Sequence, residues 1–71
     1  MTISEIWKAI DEGRQVCWIN KYYVVMVEEM RKNKYNQNSY RDGKVLVIRH
    51  IETFFGGIIE DSDLKDCFLG E

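Results

Sequence analysis

A Cys–His pair is one arrangement that performs nucleophilic catalysis, and in this sequence it could be formed only by His50 with Cys17 or Cys67. A catalytic site needs a nucleophile, a base and an orienting group within hydrogen-bond reach. His50 is the only histidine and lies in a predicted strand, and neither cysteine stands at a helix N-terminus or in a basic context that would favour the reactive thiolate. We therefore expect no catalytic residue and predict that the protein is not an enzyme.

The same side chains do not form a metal-binding pattern. Zinc sites use four cysteine or histidine ligands at short paired spacings, and here the candidates lie at positions 17, 50 and 67. Asp61, Asp63 and Asp66 resemble the start of a calcium loop, but the glycine at its sixth position and the acid at its twelfth are missing. We predict that these acids cap a short helix, that both thiols are free, and that the protein needs no cofactor.

A basic and aromatic segment follows residue 30 and is a candidate binding site. Cations that neutralise phosphate, and rings that stack on bases, are the groups that a single-stranded nucleic-acid binder uses. A solvated loop that only keeps the protein soluble is the alternative interpretation. The candidate binding residues are Arg31, Lys32, Lys34, Tyr35, Tyr40 and Arg41.

Charge is distributed unevenly along the chain, whose formal net charge is −2. Residues 14 to 50 hold eight Lys/Arg against three acids, whereas residues 51 to 71 hold one against six. Two faces of opposite sign are expected. The acidic side could dock on a basic partner, although mimics of DNA carry more negative charge than this and a solvated face is commoner. The candidate acidic face consists of Glu60, Asp61, Asp63 and Asp66.

Nine aromatic rings in 71 residues are more than such a small core can bury. Consecutive residues of a strand point to opposite faces, so one ring of Tyr22–Tyr23 and one of Phe54–Phe55 should point away from a one-sided core. Exposed aromatic side chains are typical anchors of protein interfaces. A second layer or a partner is expected to cover them.

The length and composition of the chain predict one folded domain spanning residues 1–71. The composition is 45% hydrophobic and 31% charged, within the globular range, and the chain has no proline, linker or repeat. It has no apolar run of the roughly 20 residues that cross a bilayer and no secretory signal pattern. We expect a cytoplasmic protein that does not contact membranes.

The elements that position these residues form an α+β fold. A capping box at Thr2 and Glu5, apolar residues at helical spacing and Gly13 predict a helix over about residues 3 to 12. Strands follow in "QVCWIN" and "YYVVMVEEM", joined by a turn with a positive φ at Asn20, and the second of them is expected to be central. Residues 31–41 are predicted to be a long, mobile connection.

The second half is predicted to contain two further strands and a tail. The Asp42–Gly43 turn leads into the strand "KVLVIRH", and "IETFFGGII" forms the fourth strand, in which Gly56–Gly57 marks a bulge, a bend or a close approach by another backbone. A small-ligand pocket beside these glycines is a third alternative. A short C-terminal helical turn covers 61–66, and Cys67 to Leu69 form an edge strand or an apolar plug.

The predicted architecture is thus an N-terminal helix with a bent, mostly antiparallel four-stranded sheet. The sheet could close partly into a small open barrel with the helix across one end. The helix could instead cover one sheet face in a two-layer arrangement.

Two segments, "IWKAIDEGRQVCWINKYYVV" and "FGGIIEDSDLKDCFL", resemble small accessory proteins encoded by bacteriophages and other mobile elements. Many of these begin with a helix of the pattern "hxxAhxxGxxV" and end in an acidic segment before a Cys-Phe plug. The resemblance implies no catalytic residue. It implies a role class, since such proteins often bind and block a host enzyme or defence component, while many have no known role. We therefore expect stoichiometric protein binding in the host cytoplasm, as a homodimer or as a heteromeric inhibitor. Weak single-stranded nucleic-acid binding through residues 31–41 is the alternative.

Overall fold

The computed structural model describes residues 1–30 and 39–70 of the chain. In chain order the elements are α1 (Ile3–Asp11), β1 (Val16–Trp18), β2 (Asn20–Glu29), β3 (Tyr40–Arg41), β4 (Lys44–His50), β5 (Gly56–Ile58), a 3₁₀ helix (Asp61–Asp66) and β6 (Cys67–Leu69). The predicted mobile connection lies outside the described residues, apart from its last three.

Helix α1 begins and ends where the sequence predicts. The Glu5 amide donates to the Thr2 hydroxyl over 3.1 Å and the Thr2 amide donates to the Glu5 carboxylate over 2.9 Å, which completes the capping box. Gly13 follows the helix with a φ of 76°, a conformation that glycine adopts without steric cost. The helix buries Ile6, Trp7 and Ala9.

In the described part of the chain the strands form one open antiparallel sheet of six strands. Its order is β3–β4–β2–β1–β6, and β5 pairs with β4 on the same side as β3. The prediction of an antiparallel sheet is confirmed, as is the central place of the second strand, but four strands is wrong and the sheet does not close. The two additional strands are β3, which was placed in the loop, and β6, for which an edge strand was one of two predicted alternatives.

The register places one apolar face of the sheet against the helix. Val25 lies opposite Ile48 and Val27 opposite Leu46 on the two longest strands. Val25, Leu46 and Ile48 belong to the same buried cluster as the apolar residues of α1. The helix therefore covers one face of the sheet, which is the two-layer alternative of the sequence analysis.

Two local predictions are wrong in position. The turn between β1 and β2 is at Ile19, whose φ is 63°, because Trp18 pairs directly with Asn20. The Ile19 amide donates to the Asp66 carbonyl over 3.0 Å, so a distant segment fixes this turn. The predicted fourth strand is also shorter, since residues 51–55 form a hairpin loop before β5.

Candidate functional site

The potential nucleophiles and the base lie on different strands. Cys17 on β1 is separated from β4, which carries His50, by β2, and Cys67 lies one strand further on β6. With strands about 4.8 Å apart, Cys17 is about 10 Å or more from His50. Both cysteines are free and buried, and burial raises the pKa of the Cys67 thiol to about 11. The fold thus does not assemble a Cys–His pair.

One acidic residue of the C-terminal segment, Asp63, has a local structural role. Asp63 accepts a hydrogen bond from the Glu60 amide over 3.0 Å and so caps the 3₁₀ helix, as predicted. Glu60, Asp61 and Asp66 are exposed, whereas Asp63 is half-buried. Within residues 1–30 and 39–70 no group of three or more His, Cys, Asp or Glu side chains is placed to hold a metal ion.

Two of the six residues predicted for the basic binding site are within the described chain. Arg41 makes a bidentate ion pair with Asp11 at 2.7 and 3.0 Å, and its guanidinium lies 4.0 Å from the centre of the Trp7 ring. This ion pair lowers the pKa of Asp11 and raises that of Arg41. Tyr40 is half-buried on β3. Arg41 thus connects the sheet edge to helix α1.

The other four residues of that prediction, Arg31, Lys32, Lys34 and Tyr35, lie outside the described residues. The nucleic-acid alternative therefore stays a prediction about that segment. Of the candidate cations, Arg41 is within the described part of the chain and is committed to an intramolecular ion pair.

Exposed apolar side chains gather at one end of the sheet. The turn after β1, the start of β2 and the loop after β4 meet there because β2 runs antiparallel to both neighbours. The Ile51 amide donates to the Tyr22 carbonyl over 2.8 Å, which joins two of these segments. We call this surface the aromatic end; its residues and their exposed fractions are Ile19 (56%), Tyr22 (55%), Ile51 (47%), Phe54 (68%) and Phe55 (77%).

The loop that carries the two phenylalanines is held by its own hydrogen bonds. The His50 amide donates to the Phe55 carbonyl and the Phe54 amide donates to the His50 carbonyl, both over 2.8 Å. The His50 Nδ1 atom accepts from the amides of Glu52 and Thr53 at 3.2 and 3.4 Å. Phe54 has a φ of 59°, which is uncommon for a bulky residue. The exposed rings are therefore presented on an ordered loop.

Stacked rings connect this loop to the sheet. His50 stacks on Tyr22 with ring centres 6.0 Å apart and meets Tyr23 edge-on at 5.0 Å, and Tyr23 in turn meets Trp18 edge-on at 5.3 Å. The aromatic pairs in the sequence indicated exposed rings, and Tyr22 and Tyr23 follow that prediction. Phe54 and Phe55 are both exposed rather than one of them, because both lie in a loop, where the strand alternation no longer applies.

The fold and this surface define the chain as a small α+β domain with an ordered, exposed apolar end. No family model matches the sequence, and no curated protein or solved structure matches it either. The resemblance to phage accessory proteins stays a prediction. Among the described residues, no helix is long and apolar enough to cross a membrane.

Proposed function

We propose that this chain is a stoichiometric protein-binding domain that docks through the aromatic end. The observation that carries the proposal is the exposure of Phe54 and Phe55, at 68% and 77%, on a loop held by hydrogen bonds. Large exposed apolar surface on a small protein is typical of interaction sites. Aromatic side chains at the centre of such surfaces supply much of the binding free energy.

Burial of these two rings would supply part of the free energy of binding. Complete burial of one Phe side chain contributes about 1.5–3 kcal/mol, so covering the exposed part of both rings contributes roughly 2–4 kcal/mol. The ordered loop adds to this, because a loop that is already fixed loses little conformational entropy on binding. Tyr22 and Ile51 extend the apolar surface on the same end of the sheet.

The resemblance to phage accessory proteins suggests the kind of partner. It favours a bacterial enzyme or defence component that the chain binds and inhibits in the host cytoplasm. Such a partner would present an apolar pocket for the phenylalanine rings. The fold supports binding over catalysis, since it keeps His50 apart from both thiols.

Replacing both rings by serine tests this proposal. A Phe54→Ser/Phe55→Ser chain, the wild type and a Met26→Ser control are each immobilised and exposed to bacterial lysate. Met26 is a matched control because it is also an exposed apolar residue (43%) but lies within β2 and outside the aromatic end. We expect wild type and control to retain one protein at equal stoichiometry and the double variant to retain it about 30-fold less tightly, as for loss of an interface hot spot.

Two results would contradict the proposal. One is a wild-type chain that retains no protein, and the other is equal retention by the double variant. Recovery of nucleic acid that is lost as salt rises would instead support the alternative function of residues 31–41. Circular dichroism of each variant confirms that it is folded, as expected for changes at exposed positions.

A further inference from the structure

Within residues 1–30 and 39–70, strand β5 is paired along one edge and open along the other. It pairs with β4 through Val47–Ile58, Ile48–Gly57 and Arg49–Gly56. Hydrogen bonds from the His50 amide to the Phe55 carbonyl and from the Ile59 amide to the Leu46 carbonyl bracket the strand. Because hydrogen-bonding direction alternates along an antiparallel strand, residue 57 faces β4, and Gly56 and Ile58 direct their backbone groups away from it.

The outward N–H and carbonyl groups of Gly56 and Ile58 are hydrogen-bonded to no other strand in the part of the chain that the structure describes. Gly56 and Gly57 are exposed, and nothing lies within 4 Å of the position that a Cβ atom would take on Gly57. The edge therefore offers two N–H groups and two carbonyl groups to an approaching backbone, with no side chain at two of its three positions. Open edges of this kind are templates for strand addition.

We propose that β5 binds β5 of a second copy of this chain, antiparallel, about a two-fold axis through Gly57. In this register Gly56 of each copy pairs with Ile58 of the other, and all outward groups are used in four backbone hydrogen bonds. A two-fold axis through Gly56 or through Ile58 would pair only that residue with its copy. Such a register would give two backbone hydrogen bonds instead of four. The spacing of the open groups about Gly57 is thus self-complementary, as a two-fold interface requires.

Charge and shape are compatible with this register. It places Phe54 of one copy opposite Glu60 of the other, and Phe55 opposite Ile59, so no acid faces an acid along the strand pair. At the axis two glycines meet, and in non-hydrogen-bonded pairs of this type the Cα atoms come within about 4.5 Å. The pairing requires no foreign partner. It brings Phe54 and Phe55 next to the second copy, but it is made by the backbone of β5 and does not rest on the proposed function.

The first test is the mass of the full chain in solution. Because the shared edge is short and short interfaces are weak, sedimentation equilibrium should extend to about 1 mM chain. We expect the mass to rise from 8.5 kDa towards twice that value. In the same range, hydrogen exchange of the Gly56 and Ile58 amides should slow with concentration, while exchange of the Met26 amide stays constant, since β2 is already paired on both sides.

Charged substitutions at the axis make the test specific. Gly57→Lys and Gly57→Glu each place two like charges together, so each variant alone should dimerise at least tenfold more weakly than the wild type. An equal mixture of the two should recover dimers of mixed composition. The Gly57→Ala control should dimerise like the wild type, because a small side chain fits between paired strands.

A wild-type chain that is monomeric at every concentration, with concentration-independent exchange at Gly56 and Ile58, would overturn this inference. So would a dimer that both charged variants preserve, or one that their mixture does not restore. These results leave the aromatic-end proposal intact, because that proposal depends on retention of a different protein by Phe54 and Phe55. Loss of that retention in the double serine variant, in turn, does not bear on the mass of the wild type.

Discussion

Gly56 is held in a backbone conformation that only glycine adopts readily. Its neighbour Gly57 is not in such a conformation. The φ of Gly56 is +149°, and a Cβ atom built there would overlap the carbonyl oxygen of Ile48 and lie 2.7 Å from its carbonyl carbon. Both contacts are with the backbone of β4, which cannot rotate aside as a side chain can. A Gly56→Ala substitution must therefore displace β5 from β4.

The cost follows from two effects. Forcing a residue other than glycine into this region costs about 1–3 kcal/mol. Separating the strands weakens about two backbone hydrogen bonds, each contributing about 0.5–1.5 kcal/mol. We expect a loss of about 3 kcal/mol in the free energy of unfolding, comparable with the roughly 3–5 kcal/mol that a single core supplies in a domain of this size. The melting temperature should fall by roughly 12–24 °C.

Gly57→Ala is the matched control for this prediction. Its Cβ atom meets nothing within 4 Å, and alanine in place of glycine should stabilise by about 0.4–1 kcal/mol through the unfolded chain. Thermal and urea unfolding, followed by circular dichroism at one low protein concentration, measures both variants. Equal stabilities of the two variants, or a Gly56→Ala chain within about 0.5 kcal/mol of the wild type, would refute the argument.

Three further predictions concern the helix, an ion pair and the thiols. Thr2→Ala should lower the free energy of unfolding in urea by about 1 kcal/mol, because it removes the N-terminal cap of α1. An unchanged free energy would contradict this and would show that Glu5 alone is enough to cap the helix. Arg41 lowers the pKa of Asp11, so the stabilisation is present above the ordinary value of 3.8 and is lost as the pH falls through the folded value. The melting temperatures of wild type and Asp11→Asn should therefore differ at neutral pH and converge in acid, and a constant difference would contradict this. Cys17 and Cys67 are buried, and the pKa of Cys67 is about 11, so neither should react with a thiol reagent near pH 8 until the chain is unfolded in urea; rapid labelling of the folded chain would contradict this.

Local chemistry in the sequence predicted several features of the fold correctly. The Thr2–Glu5 capping box and Gly13 gave the limits of α1 to within one residue. The Asp42–Gly43 turn has φ values of 52° and 78°, both positive, as hairpin turns with these residues require. A close approach by another backbone, one of the three alternatives for Gly56–Gly57, is what β4 makes at Gly56. Each of these depends on residues near one another in the chain.

The candidate site was predicted only in part. Paired aromatic residues indicated that some rings would be exposed, and Tyr22 confirms it. The basic and aromatic pattern predicted a binding role for Arg41, yet its guanidinium pairs with Asp11, thirty positions away. Phe54 and Phe55 lie in the predicted strand "IETFFGGII", whereas the hairpin that ends β4 places both in its loop.

Sequence alone determined the secondary structure wherever a cap, a turn or an alternating strand is specified by neighbouring residues. Tertiary structure decided which edges of the sheet stay open, where the β1–β2 turn lies and which rings meet solvent. The Ile19 turn depends on a hydrogen bond to Asp66, and β5 lies at an edge of the sheet within the described residues because β2 occupies the other side of β4. The physical reason is that strand pairing and burial are set by contacts between segments far apart in the chain, which local propensities do not specify.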